Sequence, residues 1–169
     1  GAALVRVTRY HEELEDQFDQ LVRHDLRLAD QAEVLLRLTV DLETGKRGFL
    51  LTGSPVLLET YTRARRELVP AVAAVRATAE DAEERHAIDE FEALLAQWVS
   101  SVSEPQIHDR SLGHAIDAQR VEDGRVLIDE LRGILTRLRD KAVTAAELVK
   151  RFAIERVPTQ PWRLAPTDV

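Results

Sequence analysis

The chain has no cysteine and no methionine among its 169 residues. Without cysteine there is neither a disulfide scaffold nor a thiolate metal site. Aromatic residues make up 5% of it, and only 7 Gly and 6 Pro punctuate it. That leaves little material for the many turns of an all-β fold. No run approaches the roughly 18 apolar residues of a membrane span. Positive charge is also short: the net charge is −7. Over residues 11–30, Glu12, Glu13, Glu15, Asp16, Asp19, Asp25 and Asp30 are opposed only by Arg23 and Arg27. Phosphate backbones and anionic membrane surfaces would be repelled there, so neither is an expected partner. The chain also lacks a Gly-x-Ser-x-Gly elbow and a phosphate loop, which argues against hydrolytic and nucleotide chemistry.

What remains is helix former. Leu14, Leu21, Leu28, Leu35, Leu42 and Phe49 recur every seven residues, with Phe18 and Ala32 filling in four residues on. A strict seven-residue repeat predicts a supercoiled seam on one helix from about Ala3 to Thr52, roughly 75 Å long. Asp25, Thr39 and Lys46 interrupt the second row of that seam, as register-setting polar residues do. A second helix is expected from Ser54 as N-cap and Pro55 in the first turn. Its stripe is Leu58, Tyr61, Leu68, Val72, Val75 and Ala79, with Arg65 the exception and a kink at Pro70. Asp81 caps a third helix with the stripe Ile88, Phe91, Leu95, Trp98 and Val102, which Pro105 bends or ends.

Arg110 to Gly113 reads as a turn, His114 to Val121 as a short helix, and Asp123-Gly124 as a break. A last helix carries Leu127, Leu131, Ile134, Leu138, Ala145, Leu148 and Phe152, with Ile128, Leu135, Ala142 and Val149 beside them. These elements predict an all-α, up-down-up-down four-helix bundle over residues 1–156, with long first and last helices overhanging at the end that carries both termini. Residues 157–169, with three prolines and no period, read as a disordered or added tail. A start of Gly1-Ala2-Ala3-Leu4-Val5 without Met reads as a fragment of something longer or a processed product.

One segment is odd for a helix. Asp41 to Gly53 contains Gly45 and Gly48 in its interior, each costing about 0.8–1 kcal/mol relative to Ala. Close approach of a neighbouring helix is the expected compensation. Glu43 and Arg47 stand four apart in the favourable order for an ion pair. Gly53 ends the helix in the left-handed region.

The run Glu43-Thr44-Gly45-Lys46-Arg47-Gly48-Phe49-Leu50-Leu51-Thr52-Gly53, followed by Leu58 and Tyr61, resembles the signature of the class-three CHASE domain. Gly124, Arg125, Ile128-Asp129-Glu130 and Arg132 are similar to that family's last-helix pattern, and the likeness spans about residues 35–150. The resemblance implies a four-helix sensory domain between two membrane helices. It implies a cytoplasmic output partner such as a histidine kinase, and no activity of its own. A second membrane span would follow soon after Ala145-Ala146-Glu147; Val157-Pro158-Thr159-Gln160-Pro161 stands there instead.

The signature and helix-packing residues are therefore Asp41, Glu43, Thr44, Gly45, Arg47, Gly48, Phe49, Leu50, Thr52 and Gly53. A homodimer seam is expected at Leu14, Phe18, Leu21 and Leu28. The stimulus is expected to be an unknown small ligand or protein. No catalytic residue, cofactor or metal is expected. His11, His24, His86, His108 and His114 form neither a phosphotransfer motif nor the paired Glu-x-x-His of a di-iron bundle; Glu83 to His86 is a single copy. Tyr61 and Trp98 read as core. The competing reading is a soluble helical module that binds a partner protein through the same seams.

Overall fold

The structure, a computed structural model, describes residues 1–155. The tail expected over 157–169 lies outside the described residues. Four rods pack side by side. The first is α1, Ala2–Thr52, and the second is α2, Pro55–Thr78. The third joins α3, Ala82–Trp98, through a π turn, Val99–Ser103, to α4, Glu104–Ser111. The last is α5, Ala118–Glu155. The fold is the expected all-α bundle, with α1 and α5 the long members.

The seven-residue row on α1 supplies the core from Leu28 onward: Leu28, Leu35, Leu42 and Phe49 are all buried, as is Ala32 between them. α2 turns Tyr61, Ala64, Leu68, Val72 and Val75 inward. Its stripe thus runs through Ala64, and Arg65 points out to pair with Glu104. Pro70 lies inside α2 without ending it. Its ring sits on the exposed face of the helix, where a carbonyl left without its helical partner can be hydrated. α5 buries Ile128, Leu131, Ile134, Leu135, Leu138, Ala142 and Ala146.

Three junctions differ from expectation. Ser54 stands at the N-cap position of α2, but its side chain makes no capping bond. Instead the Ser54 N–H donates to Thr52 Oγ1 at 3.1 Å, and the Thr52 hydroxyl donates to the Gly48 carbonyl at 2.8 Å. Pro105 does not end the third rod, which continues through it as α4. A proline ring crowds the carbonyl four residues back in α geometry, and the wider π turn immediately before it takes up that crowding. Finally, no break occurs at Asp123-Gly124 and no helix starts at His114: α5 begins at Ala118 and runs unbroken. Gly124 is buried because α5 lies against the third rod there; a Cβ on it would stand 2.6 Å from Val102 Cγ1.

Asp81 caps α3 with a reciprocal box. Its carboxylate accepts from the Glu84 N–H at 2.7 Å, while Glu84 Oε2 accepts from the Asp81 and Glu80 N–H groups. Lys141 of α5 adds a bond to Asp81 from across the bundle at 3.3 Å. The Glu84 N–H, then Lys141, hold the Asp81 carboxyl below its ordinary pKa. This contribution is present above the ordinary Asp range and lost as pH falls through the lowered value. Asp81→Ala is expected to cost about 1–2 kcal/mol, read by urea denaturation at pH 7. The loss should shrink towards pH 3; a loss unchanged there would contradict the assignment.

Beyond the α2–α3 turn, the start of α1 and the end of α5 continue as an overhanging pair. His24 marks the level of the turn, between Glu80 at 3.5 Å and Glu84 at 3.6 Å. The composition of this region shows in its exposed apolar side chains: Leu4, Val5, Tyr10 and Leu21 on α1, and Leu148, Phe152 and Ile154 on α5.

Candidate functional site

The signature segment lies where all four rods meet. At Gly45 α1 lies directly against the α2 backbone. A Cβ placed on it would stand 2.6 Å from the Tyr61 backbone nitrogen and 3.0 Å from the Leu57 carbonyl oxygen. One turn on, a Cβ at Gly48 would meet only the Leu57 side chain, at 2.8 Å. Phe49 and Leu50 are buried, whereas Thr44, Arg47 and Thr52 are exposed and Asp41 and Glu43 half-buried. Glu43 and Arg47 form no ion pair among the described residues. Their side chains leave the helix at the rim of the bundle, where water screens them and nothing holds them together.

The buried charge of the segment is Lys46, 8% exposed. The period that places Ala32 and Thr39 inward carries it inward too, although its residue type says surface. Its ammonium donates to Gln106 Oε1 of α4 at 3.0 Å and lies 4.8 Å from the centre of the Trp98 ring. Burial depresses its pKa to about 8, with the Glu43 carboxylate pulling the other way. Beside it the Tyr61 hydroxyl and the Ser103 hydroxyl share a hydrogen bond of 2.7 Å. Burial raises the Tyr61 pKa. Ser103 belongs to the π turn, which sets Trp98, Ser103 and Gln106 on the inward side of one rod. These residues form one polar layer across the bundle, apart from the buried Thr39 and Glu84 further along it.

The end of α1 is closed from the same rod. Gly53 has φ 71° and its N–H donates to the Phe49 carbonyl at 2.7 Å. Arg110 Nε donates to the Leu50 carbonyl at 2.9 Å. A free helix end leaves such carbonyls unsatisfied.

Sequence reasoning found the signature run and placed Lys46 in the second row of the seam, but left it out of the packing set, read Arg110 only as part of a turn, and passed over Ser103 and Gln106. Only Lys46 carried a usable signal, its place in the inward row. Of the seam residues, Leu14 and Phe18 are half-buried and Leu21 is 48% exposed, whereas Leu28 is already buried in the chain's own core at 1%. A seam between chains thus has to end before Leu28. His11, His86, His108 and His114 are exposed; His24 is the one drawn into the structure. Among the described residues no helix is long and apolar enough to cross a membrane.

A bundle of this form, with polar side chains of three rods meeting in one interhelical layer, is a helical-bundle domain organised around contact between its rods. The family model described as the CHASE3 domain matches residues 18–151, and the chain belongs to that family. CHASE3 domains are sensory domains of signalling receptors. The match reaches further towards the N-terminus than the motifs alone suggested. Comparisons with curated proteins and with solved structures find no match.

Proposed function

We propose that the chain is the extracytoplasmic sensing domain of a bacterial transmembrane receptor, a histidine kinase or similar signalling protein, and performs no chemistry itself. The overhang carries this reading. α1 and α5 are antiparallel and both pass the α2–α3 turn at the same end of the bundle, so a shift between them is delivered at one place. A stimulus that changes how the third rod sits on α1 and α5 would slide or rotate the long helices by a small step. Membrane helices continuous with them would carry the step inward.

Two protomers associate along the overhang in this reading. Leu14 and Leu21 lie on the seven-residue row there with Phe18 between them, and a single chain leaves Leu21 about half open to water. Cysteines placed at Leu14 or Leu21 in the membrane-anchored protein are expected to give disulfide-linked dimers on mild oxidation; the chain's lack of native cysteine makes the readout clean. Monomer at every seam position would defeat the dimer. Apolar stretches of about 20 residues encoded on both sides of the domain would support the receptor. Polar flanks on both sides would support the soluble interaction module.

A further inference from the structure

A cavity of about 310 Å³ opens between α1 and the start of α5. Gln106 and Lys46 lie on its inner wall, and Arg47 and Leu51 stand at its mouth. Leu50 and Ile128 give it an apolar side.

Its polar groups are unevenly matched. An ammonium only donates, so the Gln106 amide must turn its oxygen to Lys46 and its NH2 away. That Nε2 is closed off from the cavity and has no hydrogen-bond partner among the described residues, so Gln106 serves the wall through the oxygen it gives to Lys46. Lys46 spends one N–H on Gln106; among the described residues no second acceptor bond is formed. Arg47 makes no ion pair or hydrogen bond with the described residues, whereas Arg125 on the rim is tied to Glu122 and Asp129. One carboxylate, Glu43, shares the wall. A buried ammonium with a single acceptor is costly, and the group that would complete it, and face the unpaired Arg47, accepts without donating. A cation would face Lys46. A dianion would face Glu43 with only one buried positive charge to offset it. A single negative charge is the match.

We propose that this cavity binds a small aliphatic monocarboxylate, with its carboxylate on the side of the wall that carries Lys46 and Arg47 and its hydrocarbon against Leu50 and Ile128. This deepens the sensory reading and rests on it for the meaning of binding: the occupant would touch α1, α4 and α5 together, the long pair and the rod between them.

The test is calorimetry and thermal melting of the purified chain with sodium 3-methylbutanoate. The neutral 3-methylbutanamide and the cation 3-methylbutylammonium are run beside it at equal ionic strength. Saturable binding and a raised melting temperature are expected for the carboxylate alone. Lys46→Met should weaken it at least tenfold. Arg47→Gln, an exposed change that leaves folding intact, should weaken it several-fold and keeps the test decisive where the Lys46 variant does not fold. Absence of saturable binding, equal binding of the amide, or affinity unchanged in the Arg47 variant would overturn the site. The dimer cross-linking and the coding of flanking spans are unaffected by any of these outcomes, so the receptor reading stands or falls separately.

Discussion

Gly45→Ala is expected to destabilise the bundle by about 2–4 kcal/mol, a fall in melting temperature of roughly 5–15 °C for a domain of this size. Helix propensity alone argues the other way, since Ala gains up to about 1 kcal/mol over Gly in a helix interior. Geometry decides the sign. The new methyl would lie 2.6 Å from the Tyr61 nitrogen and 3.0 Å from the Leu57 oxygen. Those are backbone atoms within a continuous helix, and they cannot rotate away. α1 and α2 would have to separate, and Tyr61 would withdraw from Ser103 with them. Gly48→Ala is the control. Its methyl meets the Leu57 Cδ1 at 2.8 Å, the end of a side chain that can change rotamer. It should remain within about 1 kcal/mol of the parent, on either side. Thermal melts of both variants, monitored by far-ultraviolet circular dichroism, settle the matter; equal losses would mean that the two glycines serve chain flexibility and not contact.

That contrast marks how far the residues could be read without coordinates. The seven-residue row of α1 placed Leu28, Leu35, Leu42 and Phe49 in the core, because a repeat sustained over so many turns leaves one inward face. The interior glycines pointed to close approach, but not to the difference between Gly45 and Gly48, which depends on what α2 presents opposite each. Gly124 was misleading for the same reason. Next to Asp123 it has the look of a turn, and only the Val102 side chain across the interface shows why a helix needs it. Pro105 failed differently: the π turn that accommodates it has no period to reveal it. The seam was legible as a row, but where that row passes from the overhang into the chain's own core depends on how far α2 and α3 reach along α1. The polar layer was the least legible, since Ser103 and Gln106 look like surface residues until the π turn rotates them inward.

Gln106→Leu is expected to cost about 3 kcal/mol or more at pH 7, because it leaves the Lys46 ammonium buried beside Trp98 with no acceptor. The cost belongs to the orphaned charge and not to the lost amide. Removing both partners in Lys46→Met/Gln106→Leu should therefore restore the parent's stability or exceed it. The pH dependence separates this from a mere packing defect. In the folded parent Lys46 has a pKa of about 8, below its ordinary 10.5. Between those values the unfolded chain binds more protons than the folded one, so stability rises with pH through that window. Below about pH 8 the burden of the buried charge is fully present and constant. The whole rise amounts to roughly 3 kcal/mol. Tyr61 works in the opposite direction: burial raises its pKa, so its contribution falls once pH passes the ordinary tyrosine value near 10. The interval from pH 8 to 10 is therefore where Lys46 speaks alone within the layer. Urea denaturation of the parent minus that of the double variant should climb across this interval, other titrating groups cancelling in the difference. The single Gln106→Leu variant, with its lysine more poorly solvated still, should begin its climb at lower pH than the parent. A flat difference from pH 8 to 10 would show that Lys46 is not held in the bundle as a desolvated cation. The donor-rich wall of the cavity would then lose its central group.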